Sequence, residues 1–329
     1  MSLWSLVVTL MLAWTAVEAA DIESLRCGEL PYTYCTTIED TELRFLLLGD
    51  FGGIPYFPYF TKVQYEVAKS AAKVAGKLKT HFQLTLGDNF YYKGVTDVND
   101  KRFKRTFERV YHHEELQTPW LINLGNHDHG GNPQAQVEYS QKSRRWILPN
   151  LYFSVLVRVE PGDFTVHMIM VDTDTIKNNV GQEQLKWLEE TLQTSTADYK
   201  IVTGHHTVFS VGGHGSTKEM LERIKPLLHK YKATLYLCGH DHNLQHLKHE
   251  SDGHSVRYVV AGMASSSFII LNVDHFPQRD IVFAYGAKNL AGRLGFGRGG
   301  FGAVSVGKRG VTLSFYDKRG SLLDSRTVE

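Results

Sequence analysis

Five short apolar segments each end in a glycine followed by a polar residue that can bind a metal ion. These polar residues are Asp50, Asp88, Asn126, His205 and His240. Polar residues after a glycine are also common in turns and at helix N-termini, so one example carries little weight. Five concordant examples are hard to explain by turns alone. In open α/β sheets ligands bind beyond the carboxyl ends of the strands, so the pattern predicts a shared metal site.

The spacing within two of these motifs favours a pair of ions. His240 and His242 are separated by one residue, so in an extended segment both imidazoles point to the same side and Asp241 points away. Asp88 and Tyr91 have the spacing that places two side chains on one face of a first helical turn. The two oxygens of Asp88 can bridge ions about 3.5–4 Å apart, as in two-metal hydrolases.

The two predicted sets of ligands differ in charge. Asp50, Asp88 and Tyr91 would give one ion three anionic oxygens, and His242 would add an imidazole. Because a phenolate is a hard and basic donor, this set favours a trivalent ion such as Fe(III). The second set is less anionic and suits a divalent ion, Fe(II), Zn or Mn. It consists of Asp88, Asn126, His205 and His240.

The segments that carry these residues are predicted to be buried strands, because each is short, apolar and bounded by glycine. They span residues 44–48, 82–86, 120–124, 200–203 and 234–238. Helices are predicted over 63–78, where apolar residues recur at helical spacing, and over 182–194 and 216–230. Further strands are predicted at 256–260, 268–271, 281–285, 303–306 and 311–316.

The order of these elements predicts an α/β fold. Asp50, Asp88 and Asn126 are spaced by the length of a βαβ unit, whereas only strands are predicted after residue 251. A mixed first part and a β-rich second part predict two mixed β-sheets packed together and flanked by helices, a four-layer αββα sandwich. The chain contains no Pro- or Ser-rich linker, so a single catalytic domain is expected.

The N-terminus is predicted to be a signal peptide. Residues 3–20 are mostly apolar, and small residues place the cleavage site near Ala19 or Ala20. The stretch lacks Lys and Arg and is nearly long enough to span a bilayer, so a single membrane anchor is the alternative. The expected organisation is a signal peptide at 1–20, an N-terminal extension at 21–43, a catalytic domain at 44–323 and a tail at 324–329.

Composition limits the partners of the chain. Lys and Arg total 36 against 35 Asp and Glu, which argues against a broadly basic nucleic-acid-binding protein. A second apolar run of spanning length does not follow, so no stable membrane insertion of the mature chain is expected. In the oxidising compartment that export implies, Cys27 and Cys35 are close enough to pair, whereas Cys238 is expected to be a buried thiol. The chain has no Asn-x-Ser/Thr sequon, so N-glycosylation is not expected.

Together the motifs resemble those of the purple acid phosphatases, the small mammalian-like type within the calcineurin-like metallophosphoesterases. The motifs, in order, are Gly49-Asp50-Phe51-Gly52, Gly87-Asp88-Asn89-Phe90-Tyr91, Gly125-Asn126-His127-Asp128, Gly204-His205-His206 and Gly239-His240-Asp241-His242. Other calcineurin-type enzymes usually have a histidine where this chain has Gly52, and they lack the tyrosine that matches Tyr91. The resemblance extends from about residue 44 to about residue 323.

The resemblance implies an acid phosphatase with a binuclear Fe(III)–M(II) centre, coloured by charge transfer from the tyrosinate to iron. It also implies that His127 and His214 face the phosphate as catalytic residues. Attack of a metal-bound hydroxide on a phosphate monoester is the expected reaction, with the two imidazoliums stabilising oxygens or protonating the leaving alcohol. The expected substrates are phosphorylated small molecules or phosphoproteins. The protein itself is expected to be a secreted or endolysosomal monomer.

Two alternatives stay open. The same site could act as a phosphodiesterase or a phosphoprotein phosphatase, or the fold could serve as a non-catalytic scaffold. Loss of ligands is the usual sign of a scaffold, and all seven candidate ligands are present. His129 is expected to be either a supporting residue of the site or a loop residue. The glycine-rich tract 292–300 is predicted to be a hairpin and not an RNA-binding segment.

The chain also departs from its relatives. Mammalian-type members have a long loop over the site, and proteolysis of that loop raises their activity. Here only residues 175–180 separate the segment ending at Asp174 from the next predicted helix. The enzyme is therefore expected to be active without processing.

Overall fold

The computed structural model describes residues 25–266, 271–286 and 298–328. The strands are β1 (Thr33–Asp40), β2 (Glu42–Leu48), β3 (Phe82–Thr85), β4 (Trp120–Leu121), β5 (Trp146–Ile147), β6 (Phe153–Pro161), β7 (Phe164–Met170), β8 (Tyr199–Thr203), β9 (Leu235–Cys238), β10 (Leu244–Ser251), β11 (His254–Ala261), β12 (Ile281–Tyr285), β13 (Gly300–Gly307), β14 (Gly310–Asp317) and β15 (Leu322–Val328). The α-helices are α1 (Lys62–Leu78), α2 (Asn126–His129), α3 (Pro133–Tyr139), α4 (Thr173–Lys177), α5 (Gln182–Thr194), α6 (Lys218–Arg223) and α7 (Lys225–Lys230).

These strands form two mixed sheets. The eight-stranded sheet has the order β1-β6-β7-β8-β9-β11-β10-β12, and the seven-stranded sheet has the order β15-β14-β13-β2-β3-β4-β5. Strands β2 to β5 run parallel, as do β7, β8, β9 and β11. The carboxyl ends of β2, β3 and β4 in one sheet, and of β8 and β9 in the other, therefore lie at one edge of each sheet.

The hydrophobic core lies between the sheets and continues under the helices. Phe45 and Phe82 stack in the seven-stranded sheet, and their cluster includes Val155, Met168 and Val259 from the other sheet. A second cluster covers the outer face of the eight-stranded sheet and includes Trp187 of α5. Helix α1 packs against β2 and β13 on the opposite outer face. The predicted αββα sandwich of two mixed sheets is confirmed.

Helix α1 shows how local sequence builds a layer. Its buried face includes Val63, Val67, Ala71 and Val74, which recur every three or four residues as an amphipathic helix requires. The hydroxyl of Thr61 accepts a hydrogen bond of 2.9 Å from the backbone nitrogen of Gln64 and caps the first turn. The prediction for 63–78 is confirmed, as is the helix at 182–194.

The predicted single helix over 216–230 is wrong. The segment forms two short helices, α6 and α7, that meet at Ile224. Pro226 lies in the first turn of α7, where a missing backbone N–H is tolerated, but a proline in a helix interior would remove a hydrogen bond and clash with the preceding turn. The helix therefore stops and restarts. The segment 120–124 is also a shorter strand than predicted, because only Trp120–Leu121 pairs with neighbours.

Both segments placed outside the expected domain contribute strands. Strand β1 pairs in parallel with β6, so part of the expected extension at 21–43 lies in the eight-stranded sheet. Strand β15 pairs with β14 and includes most of the expected tail at 324–329. The sheets therefore extend beyond the expected limits of 44–323. The reason is that edge strands need an apolar side chain only on the face that packs against the core.

Cys27 and Cys35 form a disulfide bond, and Cys238 is a buried free thiol, as predicted. Among the residues that the structure describes, none of the helices is both long and apolar enough to cross a membrane. The predicted signal peptide lies outside the described residues. The same is true of most of the strand predicted at 268–271 and of most of the glycine-rich tract 292–300.

Candidate metal centre

The candidate ligands come from both sheets and meet at the shared edge. Asp50 and Asp88 follow β2 and β3, and Asn126 begins α2 after β4. His205 follows β8, and His240 lies in the loop after β9. The backbone nitrogen of His240 donates a hydrogen bond of 2.9 Å to Asp50 Oδ2, which ties the two sheets together at this point.

Tyr91, Asp50 and His242 form one half of the cluster. The Tyr91 hydroxyl lies 3.1 Å from Asp50 Oδ1 and 2.9 Å from His242 Nε2. His242 Nε2 lies 3.3 Å from Asp50 Oδ1. Three potential metal-ligand atoms thus face one another, and their separations are typical of atoms that share an ion or a hydrogen-bond network.

Asp88, Asn126, His205 and His240 form the other half. His205 Nε2 is 3.1 Å from the amide oxygen of Asn126, 3.5 Å from Asp88 Oδ1 and 3.2 Å from His240 Nδ1. The opposite nitrogen of His205 donates to the carbonyl of Leu86 at 2.8 Å, which fixes the ring so that Nε2 faces the cluster. A backbone carbonyl on the second ring nitrogen is the usual arrangement for a metal-binding histidine.

The chemistry of the donor set fits a cation. Asp50, Asp88 and His205 place ligand atoms within 4.8 Å of one another, and all three residues are buried. The pKa of Asp88 is raised to about 6, chiefly by burial and also by the neighbouring carboxylates of Asp50 and Asp128, against the opposing effect of His205. Burial and the same acidic groups hold the pKa of Tyr91 well above its usual value. Positive charge at the centre would relieve both effects.

Two glycines allow the loops to approach one another. A Cβ atom on Gly125 would collide with the carboxylate of Asp88, and one on Gly239 would collide with the carboxylate of Asp50. The glycine before each polar residue is therefore needed for close packing, which explains the motif that the sequence repeats.

The expected helical turn from Asp88 to Tyr91 is wrong. The segment is an irregular turn in which Asp88 has a φ of +55°, and the Tyr91 nitrogen donates to the carbonyl of Gly52 at 3.0 Å. A Cβ on Gly52 would lie 2.5 Å from that nitrogen, so the glycine leaves room for Tyr91. The histidine loop is not extended either, since His240 has a φ of +70°.

A buried carboxylate organises two of these loops, and sequence analysis did not assign it this role. Asp128 accepts hydrogen bonds of 2.9–3.2 Å from the backbone nitrogens of Asn89, Phe90 and Gly125 and from the side chain of Gln136. It thereby caps its own turn and also joins the loop that carries Asp88 to the one that carries Asn126.

Two other residues near the site support loops. Asn89 donates to the carbonyl of Asn123 at 2.8 Å, so it holds the Asp88 loop in place. His129 Nε2 lies 2.8 Å from Asp172, the residue that caps α4. His129 is therefore bound to the segment that follows β7.

His127 and His214 line a cleft of about 280 Å³ above the cluster, together with Tyr92. The Nδ1 of His127 donates to the Tyr92 carbonyl at 2.7 Å, and its Nε2 lies 3.9 Å from Asp88 Oδ2. The His214 ring stacks on His240 with centroids 4.4 Å apart, and about half of its side chain is exposed. Both histidines can reach a molecule bound in the cleft.

Asp241 lies between the candidate ligands His240 and His242. It points away from the cluster, as expected, and is fully buried. Its Oδ1 accepts hydrogen bonds from the backbone nitrogen and from Nδ1 of His214 at 3.0 and 3.1 Å, and its Oδ2 bonds to Ser210. Asp241 thus holds His214 over the cleft and is the main reason that the pKa of His214 is raised.

Several known proteins are similar to this chain in sequence. The calcineurin-like phosphoesterase family model matches residues 43–244. Tartrate-resistant acid phosphatase type 5 of rabbit (Oryctolagus cuniculus) is 37% identical over 301 residues, which cover 85% of this chain and 89% of the relative. The human (Homo sapiens) protein of the same name is 34% identical over 333 residues, covering 94% and 96%.

This chain belongs to the purple acid phosphatases. Two solved structures share the fold of this purple acid phosphatase. GAP50, the anchor in the inner membrane complex of Plasmodium, superposes with a TM-score of 0.74 at 23% identity and covers 88% of this chain and 89% of its own. The purple acid phosphatase PPD1 from yellow lupin (Lupinus luteus) gives a TM-score of 0.64 at 16% identity, covering 88% and 54%.

Proposed function

We propose that this purple acid phosphatase hydrolyses phosphate monoesters in acid at a centre of two metal ions. The observation that carries the proposal is the convergence of Asp50, Asp88 and His205 from two sheets into one buried group of ligand atoms. In the part of the chain that the structure describes, the ion-pair partners of Asp50 and Asp88 are histidines and not Lys or Arg. Two such buried carboxylates are costly unless cations accompany them. The cleft above this group is large enough for a phosphate ester.

The two halves of the cluster suggest two different ions. Tyr91, Asp50 and His242 would hold Fe(III) with Asp88, because a phenolate and two carboxylates favour a hard trivalent ion. Asn126, His205 and His240 would hold a divalent ion, Fe(II), Zn or Mn, with Asp88 shared between the two. The proximity of the hydroxyl of Tyr91 to both Asp50 and His242 supports the first assignment.

When bound, the two ions would neutralise the charge of the phosphate and activate a water molecule for in-line attack. The residues of the chain supply the rest. His127 and His214 each use Nδ1 in a hydrogen bond to the protein, so Nε2 is the nitrogen that can contact the substrate. As imidazolium, either one would stabilise the phosphoryl oxygens or donate a proton to the leaving alcohol.

The fold by itself does not distinguish an enzyme from a scaffold, since the chain superposes on the anchor GAP50 with a higher TM-score, 0.74, than on the phosphatase PPD1, 0.64. The complete set of candidate ligands favours the enzyme. Phosphorylated small molecules and phosphoproteins are the substrates we propose, and phosphodiesters are the alternative. The proposed context is a monomer, exported or endolysosomal, that does not bind nucleic acid.

Metal analysis together with a visible absorption spectrum tests the proposal. The purified protein should contain two metal ions per chain, at least one of them iron, and should be coloured. Tyr91→Phe should abolish the visible band while leaving a folded protein. A colourless wild-type protein with full phosphatase activity would refute the iron–tyrosine assignment, and a metal-replete protein without activity on any phosphate ester would favour the scaffold.

A further inference from the structure

A second group of histidines lies on the outer face of the eight-stranded sheet. His229 is on α7, His249 on β10, and Tyr258 on β11. Strand β10 runs away from the catalytic edge, so His249 lies roughly 20 Å along the chain from His242, at about 3.3 Å per residue. The group is therefore separate from the candidate metal centre.

His229 and His249 repeat the geometry of two catalytic-site histidines. The proposed ligands of the divalent ion, His205 and His240, have ring centroids 5.0 Å apart, an interplanar angle of 75° and an Nε2-to-Nδ1 distance of 3.2 Å. For His229 and His249 the corresponding values are 5.0 Å, 68° and 3.1 Å. In each pair one ring presents Nε2 and the other Nδ1.

We propose that His229 Nε2 and His249 Nδ1 bind a divalent transition-metal ion of the kind that prefers imidazole, with Zn²⁺ as the probe. Zinc–nitrogen bonds are about 2.0–2.1 Å long, so nitrogens 3.1 Å apart can lie on one ion with a small movement of the rings. The hydroxyl of Tyr258 is 3.1 Å from His229 Nε2 and can bond to a water molecule in the shell of the ion.

The surroundings hold these rings in place. His229 is buried, with a relative exposure of 8%, and His249 stacks on Phe209 with centroids 4.9 Å apart and planes 28° apart. His249 is partly exposed, so an ion can enter from solvent. By contrast, the adjacent His112 and His113 stack face to face with centroids 4.4 Å apart, a packing that does not direct two nitrogens at one point.

Charged groups near His229 and His249 shift the pKa values of these histidines in opposite directions. Lys225 lies 5.7 Å from the ring of Phe209 and helps to lower the pKa of both histidines, whereas Asp280 raises that of His249. Burial is the largest cause of the lowering for each ring. The neutral form, which binds metal, is therefore favoured at neutral pH, and Lys225 opposes the bound ion.

The test is equilibrium dialysis of the metal-loaded protein against micromolar Zn²⁺ at pH 7.5, followed by metal analysis. Wild type should take up one more Zn²⁺ per chain than His249→Gln, and the His112→Gln control should match wild type. Phosphatase activity should be the same in all three. Lys225→Gln should bind the additional ion more tightly than wild type.

The difference in Zn²⁺ uptake between wild type and His249→Gln does not depend on how many ions the catalytic centre holds. Equal uptake by these two proteins would overturn the proposal. A crystal soaked in Zn²⁺ should show an anomalous peak between His229 and His249, and a soaked crystal without that peak would also overturn it. At pH 5 the additional ion should be lost, because protons compete for both rings.

Discussion

The carboxylate of Asp241 receives two hydrogen bonds from His214, one from the backbone nitrogen at 3.0 Å and one from Nδ1 at 3.1 Å. This arrangement fixes both the loop and the ring of a histidine whose side chain is about half exposed. It resembles a catalytic carboxylate–histidine pair, in which the acidic group sets the tautomer and favours the protonated ring.

Asp241→Asn should therefore weaken the contribution of His214. The hydrogen bond that His214 Nδ1 donates to Asp241 is the largest cause of the raised pKa of His214, so its weakening should move the alkaline limb of the pH–rate profile to lower pH. We expect kcat/KM to fall about 10-fold to 100-fold, as for other supporting residues. Asp163→Asn, an exposed carboxylate remote from the cleft, is the control. An unchanged profile in Asp241→Asn would remove Asp241 from the mechanism.

His127→Gln should lower kcat by about 10²-fold with a smaller change in KM, because a proton donor or charge stabiliser acts mainly in the transition state. His129→Gln is a matched control two residues away, since His129 contacts Asp172 instead of lining the cleft. Steady-state kinetics with a phosphomonoester measures both. If the two variants lose activity equally, His127 has no special role.

Asp128→Ala should destabilise the protein and disturb the site together. The substitution leaves three backbone N–H groups and the amide of Gln136 without their acceptor in a buried region. We expect the free energy of unfolding to fall by about 3 kcal/mol or more. Denaturant titration measures this, and metal content should fall in parallel. A variant with wild-type stability and metal content would show that the carboxylate is dispensable.

Two buried histidines predict a loss of stability in acid. Burial lowers the pKa of His246 and of His167 from 6.5 to about 4, with smaller effects from Arg257 and Lys200 respectively. The native state therefore favours neutral rings, so their stabilising effect is complete above pH 6.5 and is lost as the pH falls towards 4.

Between pH 6.5 and full protonation below pH 4, each ring lowers the free energy of unfolding by about 3 kcal/mol. His246→Leu should flatten the dependence of the free energy of unfolding on pH between 6.5 and 4, whatever its effect at neutral pH. His112→Leu, at an exposed position, should leave the slope unchanged. Equal slopes in wild type and His246→Leu would mean that His246 does not titrate on unfolding.

Limited proteolysis should not activate the enzyme. Helix α4 follows directly after Asp172, and α5 begins at Gln182, so only a short connection crosses this part of the site. Activity before and after brief digestion, with cleavage followed by mass spectrometry, should differ by less than twofold. A large increase after cleavage between α4 and α5 would contradict this.

The elements at the centre of the fold could be predicted from the sequence, because apolar periodicity and capping residues within each segment determine them. The helix at 63–78 has a periodic apolar face and a capping threonine. The strands β2, β3, β4, β8 and β9 lie in apolar runs that end in glycine. Parallel strands bring their carboxyl ends to one edge, so the meeting of Asp50, Asp88 and His205 could also be expected. Their role as ligands stays a prediction.

What the sequence did not predict depends on distant contacts. Strands β1 and β15 lie at the edges of the sheets and contain polar residues, so they lack the apolar runs of the central strands. The hydrogen bonds of Asp128 and Asp241 join loops that are far apart in the chain. The pairing of His229 with His249 likewise appears only when α7 packs against β10 and β11, since neither residue stands in a motif.

The first four ligand candidates along the chain follow strands of the seven-stranded sheet, and the last three follow strands of the eight-stranded sheet. The first and last of them, Asp50 and His242, lie at opposite ends of the stretch that supplies them all. Neither sheet alone would supply all the ligands of the two proposed ions. The proposed ions could therefore be acquired only after translation has passed His242 and the two sheets have packed against each other. Metal supply would then limit the last step of maturation, after the two sheets have packed together.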